Sequence, residues 1–235
     1  MSSYLFEDFE GSTPKAWKQN IQVDLKGADY NDTLLWHTDE KITVKPFYTK
    51  EDRTHQTIEL PESGFSLCQP IYIDDENVAN QLAIDALSRG ADAIEFSASS
   101  KFNYNRVLKN IDISIHKVYF SLSFLDPEFI KTIATHLNSK NCYFNIDIIG
   151  HLAKTGNWFT NLKSDHKAIQ TILETTTNAI HVDASIYQNA GATITQQLAY
   201  ALAHANEYLN HYGENIAHQI HFKFAVGSNY FFEIA

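Results

Sequence analysis

Residues 65–97, FSLCQPIYIDDENVANQLAIDALSRGADAIEFS, contain one complete unit of the fold. FSLCQPI is a short β-rich run. DDENVANQLAIDALSRG then opens on acidic capping residues, places Val78, Leu82 and Ala86 on one helical face and closes at Gly90. DAIEFS is a second apolar run of strand length, so the stretch reads as strand, helix, strand.

The same rhythm continues to the end of the chain. KVYFSLSF, CYFNIDII, AIHVDAS and QIHFKFAV read as four further strands. Between them fall a helix opened by Asp126-Pro127, a helix near 166–175 and a long helix from about Thr193 to Tyr212. Six parallel strands separated by helices fit an eight-stranded (β/α)8 barrel or an open doubly wound sheet, and handedness does not separate the two. The expected fold class is α/β, a TIM-type barrel truncated after about six strands. SNYFFEIA reads as the first turn of another helix.

Residues 1–60 differ. Thr13-Pro14 opens one helix, Trp17, Ile21 and Leu25 recur every four residues, and Gly27 ends it. The following YNDTLLWHTDEKITVKPFYTKEDR has too few apolar positions in any period to build a core. The expected division is an arm over 1–60 and a barrel domain over 61–235. Phe6, Phe9, Trp17 and Trp36 are candidate anchors for a partner subunit, and they could equally pack on their own barrel.

Composition excludes several function classes. The 235 residues carry a formal net charge of -10 with no basic cluster, which argues against a nucleic-acid surface. No apolar run reaches membrane length, and MSSYLFEDFEGS lacks the pattern of a signal peptide, so a cytoplasmic protein with no membrane contact is expected. Cys68 and Cys142 are too sparse for a disulfide scaffold and read as reduced thiols.

No glycine-rich phosphate loop and no G-x-S-x-G elbow follows any strand. His218 with His221, or His204 with His211, has neither the number nor the spacing of a zinc set, so no metal site is expected. His181 and Asp183 alternate on one strand and share a face, as an acid/base pair or a core contact would. In a barrel, functional groups gather at the carboxyl ends of the strands, here Ser97, Ser99, Leu125, Asp126, Asp147, His151, Ser185, Tyr187, Gln188, Gly227 and Asn229. That set contains no arginine or lysine, and Asp147 has the simpler role of accepting from backbone amides beyond its strand.

WKQNIQVDLKGADY with LLWHTDEKITVKPFYTKED resembles the N-terminal arm of methylmalonyl-CoA mutase small subunits. IHVDASIYQNAGATITQQLAYALAHANEYL resembles the I-S-I-S-G-Y-H-M-Q-E-A-G-A block of the catalytic subunits, and IHFKFAVGSNYFFEIA their next strand and helix. The resemblance implies a subunit of an isomerase complex that interconverts methylmalonyl-CoA and succinyl-CoA. In the catalytic subunits the histidine of the Tyr-His pair holds the thioester carbonyl. Ser185 and Ile186 stand at those positions, and Cys68, between Leu67 and Gln69, replaces an arginine of I-R-Q that holds the coenzyme A ester. The resemblance therefore implies a non-catalytic partner with a residual pocket of Gln69, Asp147, Asp183, Tyr187, Gln188 and Asn229, the alternative being an active or regulatory acyl-CoA-binding barrel with a rearranged site in which Tyr187 replaces the lost donor. The family's cobalt-ligating D-x-H-x-x-G is absent, and in SDHKAIQ the aspartate and histidine are adjacent. Adenosylcobalamin is thus expected in a large catalytic subunit, the other half of a heterodimer, and not in this chain, for which acyl-CoA binding is doubtful.

Overall fold

A computed structural model of the chain describes residues 10–53, 64–137 and 140–234. Two compact units divide it, Met1–Glu62 and Ser63–Ala235.

In the first unit, helix α1 (Pro14–Asp24) starts at Thr13, whose hydroxyl accepts from Ala16 N at 3.2 Å. The chain leaves it through Lys26 and Gly27 at positive φ. Helix α2 (Tyr30–Leu34) follows, capped by Asp29. Strands β1 (Trp36–His37) and β2 (Thr43–Val44) then pair antiparallel. The arm thus holds more local structure than the one helix its sequence suggests, because side-chain caps and a turn stabilise these short elements without a core. Neither helix contains a buried residue. Trp17 and Trp36 are 51% and 56% exposed, and Trp17 meets Phe47 edge-on at 6.2 Å. Phe6 and Phe9 lie outside the described residues.

The second unit runs β3 (Cys68–Tyr72), α3 (Glu76–Ser88), β4 (Ala93–Ala98), α4 (Tyr104–Val107), β5 (Lys117–Leu122), α5 (Pro127–Leu137), β6 (Cys142–Phe144), α6 (Ile148–Thr155), α7 (Leu162–Leu173), β7 (Ile180–Asp183), α8 (Ser185–Asn189), α9 (Ile194–Tyr212), β8 (Ile220–Lys223) and α10 (Tyr230–Ile234). Strands β3 to β6 form one parallel sheet in chain order, and β7 pairs parallel with β8. A parallel bridge between Ile146 and Ile180 joins the two sets. The order never reverses, whereas a doubly wound sheet requires a switch point. Among the described residues β3 and β8 do not pair, so the sheet is open.

Alternation divides the sheet into an apolar and a polar face. On the first, Phe96, Phe120 and Phe144 are in register, buried, and stacked at 6.1 and 5.6 Å, forming an aromatic ladder beneath the helices. Ile94, Val118, Ile180 and Val182 extend this core beside Ile130, Ile133, Ile169 and Ile172 of α5 and α7. The opposite face carries Glu95, Ser97, Tyr119, Ser121, Tyr143, Asn145, His181, Asp183, His221 and Lys223. Lys223 Nζ of β8 lies 3.7 Å from Glu95 Oε1 of β4, so the sheet curls until strands separated by three others meet across its polar side.

One segment departs from the sequence reading. CYFNIDII is not a strand throughout: regular pairing stops at Phe144, and Ile148 and Ile149 belong to α6. Asp147 caps that helix, donors from distant elements hold it there, and this interaction outweighs the β preference of the two isoleucines.

Candidate functional site

A cavity of about 370 Å³ opens at the carboxyl ends of β4 to β8. Its polar lining includes Ser97, Ser121, Asn145, His181, Asp183 and Lys223 from the strands, with Asp147, His151 and Lys154 from the loop and helix after β6. Leu122, Phe124, Leu125, Ile146, Phe159 and Ile186 make the apolar part.

Asp147 is the best-connected group. Its Oδ1 accepts from Gly150 N at 2.7 Å, His204 Nε2 at 2.8 Å and Tyr208 Oη at 2.8 Å, and its Oδ2 from Asp183 N at 3.0 Å. Burial alone would raise this carboxyl. The hydrogen bond and charge of His204, with the two amides, hold it below its ordinary value. The second ring nitrogen of His204 meets Tyr187 Oη at 3.0 Å. A buried chain therefore runs from Tyr187 on α8 through His204 on α9 to Asp147 at the cavity wall. In the tautomer whose Nε2–H donates to the carboxylate, Nδ1 accepts from the tyrosine hydroxyl.

The floor is a second network. Glu95 Oε1 accepts from Ser121 Oγ at 2.6 Å and Asn145 Nδ2 at 3.2 Å, and Asn145 Oδ1 accepts from His221 Nε2 at 2.9 Å. The rings of His181 and His221 lie 4.9 Å apart, and neither Nδ1 has a hydrogen-bond partner. Burial, then His181, pushes His221 down to about 4, and burial also lowers His181 against Asp147 and Asp183. Both rings are neutral at pH 7.

The sequence-selected residues fall into three groups. Asp147 and Asp183 line the cavity, as does Ile186. Asp183 Oδ1 accepts from the amide and hydroxyl of Ser185, which occupies that oxygen. Tyr187 and Gln188 sit behind this wall: Tyr187 is committed to His204, and Gln188 Oε1 accepts from Gln197 Nε2. Gln197 also pairs with both backbone groups of Ala225. Asn229 is engaged through its carbonyl, which accepts from Phe232 N and Glu233 N at the start of α10.

Cys68 and Gln69 are elsewhere. They begin β3, at the end of the sheet opposite the cavity, and line a separate groove with Tyr72, Leu82, Ala86 and Arg89. The sequence places that strand at 65–71, three residues early, which puts both residues near its carboxyl end instead of its start. Burial, then Glu95, pushes the Cys68 thiol up to about 11. Among the described residues no group of three or more His, Cys, Asp or Glu side chains is placed to hold a metal ion. His211 stacks near His166, not His204, and Asp165 and His166 are each engaged, by the amides of Phe159 and Thr160 and by Tyr212 Oη. Missed by sequence reasoning were the roles of His204 and Tyr208. Their spacing of four residues on α9 marks one helical face, and nothing local connects that face to Asp147.

The cavity wall that carries Ile186 lies within the part of the chain that known proteins share. Residues 134–235 match the methylmalonyl-CoA mutase family. The methylmalonyl-CoA mutase small subunit of Porphyromonas gingivalis (strain ATCC BAA-308 / W83) is 29% identical over 269 residues, a match covering 98% of this chain. The chain spans 43% of the length of that relative. Both similarities agree with the resemblance carried by the arm and the IHVDAS block. No helix among the described residues is long and apolar enough to cross a membrane.

Proposed function

We propose that this chain is the barrel portion of a methylmalonyl-CoA mutase small subunit, a non-catalytic partner of a large subunit that interconverts methylmalonyl-CoA and succinyl-CoA in the cytoplasm. The carrying observation is Ile186 on the cavity wall. At the position where the catalytic subunits of the resembled family present a histidine to the thioester carbonyl, this wall offers a side chain with no hydrogen-bond donor. Loss of one such donor costs about two to three orders of magnitude in rate. Tyr187 does not replace it, because its hydroxyl faces His204 and the residue does not line the cavity.

Sequential parallel strands, a curled sheet and a cavity at the strands' carboxyl ends support a (β/α) barrel architecture for Ser63–Ala235. The arm, with no buried residue in either helix and with exposed Trp17 and Trp36, supports a heterodimer contact for the first unit. Adenosylcobalamin belongs to the large subunit in this reading. Asp165 and His166, nearest in sequence to the family's cobalt-binding motif, do not form it, because they are adjacent in sequence and the Asp165 carboxylate is held by the amides of Phe159 and Thr160.

The test is co-expression with a large mutase subunit, followed by complex isolation and isomerase assays of each chain and of the pair. A stable pair whose turnover is unchanged by Ile186→Ala in this chain supports the proposal. Turnover of methylmalonyl-CoA by this chain alone rejects it.

A further inference from the structure

We propose that the groove between α7 and α9 binds a divalent transition-metal ion of the zinc class through His166 and His211. The groove lies in the outer helical layer, and neither histidine lines the cavity at the strand ends. The scaffold role does not require such a site, so the two stand or fall separately.

The two imidazoles come from different helices and already adjoin. Their ring centres lie 3.9 Å apart with 32° between the planes. Two nitrogens bound to one tetrahedral zinc, each at about 2.0–2.1 Å, stand about 3.3 Å apart, so the pair needs only a small rotation to share an ion. His211 is exposed and its ring makes no hydrogen bond among the described residues, which leaves it free to turn.

His166 is set up as a ligand by Tyr212. The tyrosine Oη meets His166 Nδ1 at 2.6 Å and the His166 carbonyl at 3.3 Å. One hydroxyl proton serves both contacts only when it goes to the carbonyl while Nδ1–H donates to Oη. That tautomer leaves the Nε2 lone pair unused, and Nε2 is not among the buried unpartnered atoms, so solvent reaches it. A metal-bound histidine almost always gives its other N–H to a fixed acceptor, and Tyr212 is placed as that acceptor.

The surroundings favour a cation. The polar lining of the groove beside His211 is Gln170, Glu174, Tyr212 and Asn215, with no lysine or arginine. Burial, then His211, lowers the His166 pKa, and the carboxylates of Asp165 and Glu207 oppose that shift by favouring positive charge there. Among the described residues no third His, Cys, Asp or Glu is placed with the pair as a preformed ligand, so water fills the remaining positions and the affinity stays moderate.

The experiment titrates the full chain, stripped with EDTA and dialysed, with zinc chloride by calorimetry, and with magnesium chloride as the control. Zinc should bind saturably with Kd on the order of 10 µM, and magnesium, which selects oxygen ligands, should not bind. His166→Ala and His211→Ala should each weaken zinc binding at least about tenfold. His37→Ala, which removes an imidazole from the arm, should leave it unchanged. His211 is exposed, so its variant tests the site even where loss of the Tyr212 contact makes His166→Ala unfold. No saturable zinc binding, affinity unchanged in His211→Ala, or an equal loss in His37→Ala overturns the proposal.

Discussion

Asp147 and His204 meet at 2.8 Å although 57 residues separate them, and through this bond the cap of α6 is fixed to the middle of α9. Both side chains are almost fully buried, at 8% and 1% exposure. Breaking such a pair from one side leaves an uncompensated polar group in the interior.

Asp147→Ala should destabilise the chain by about 3–5 kcal/mol in urea unfolding. Gly150→Ala should act through the same carboxylate, because a Cβ there would stand 2.2 Å from Asp147 Oδ2. Displacing an oxygen held by several donors should cost about 1–3 kcal/mol. Asp147 has its folded pKa below the ordinary 3.8, so its contribution is present above pH 3.8 and lost as pH falls through the folded value. Asp147→Asn should flatten that acid limb.

His221 governs a different pH window. The unfolded ring takes its proton near pH 6.5 and the folded ring only near pH 4, so the unfolded state binds the extra proton between those values. Stability should be full above about pH 6.5 and fall on acidification to pH 4, by at most about 3 kcal/mol from this ring. In His221→Gln the slope of unfolding free energy across that window should shrink. An unchanged slope would remove His221 as its source.

The two cysteines should differ in alkylation. Burial raises Cys142 to about 12, and Cys68 stands at about 11, so thiolate at pH 8 is about a thousandth of Cys68 and less of Cys142. Iodoacetamide should modify Cys68 slowly in the folded chain and Cys142 only after urea is added. Peptide mass mapping over time distinguishes the two.

Phe120 lies between Phe96 and Phe144 in the aromatic ladder and is fully buried. Phe120→Ala should cost about 3–5 kcal/mol, measured by urea unfolding, whereas Tyr119→Ala on the polar face should cost less.

The helices were legible where caps marked them, though on α3 the buried residues are Ala79, Asn80 and Ala83 while Val78 and Leu82 of the expected face stand 54% and 53% exposed. Thr193 opens α9 with a full capping box, and Asp75 and Gly90 bound α3 and its exit. Parallel strands separated by helices were legible too, but their order was not, since repeated units read alike in either topology. The strand over CYFNIDII was overrun because Ile148 and Ile149 favour strands locally, while the bonds that make Asp147 a helix cap come from β7 and α9. Asp147 as an acceptor of backbone amides was readable from its place after a strand. The polar floor was not, because Glu95, Asn145 and His221 come together only when the sheet curls.

The order of the strands also bears on how the chain forms. Cys68 pairs with Ala93, Ala93 with Lys117, and Val118 with Cys142, so each new strand finds its neighbour already made. Short closures of this kind carry a small entropic cost and suit assembly from the amino end while the chain is still leaving the ribosome. The Asp147–His204 bond cannot exist until α9 has emerged, and β8 with Lys223 follows later still, so a nascent chain stalled before residue 204 should carry β3 to β7 without a finished cavity.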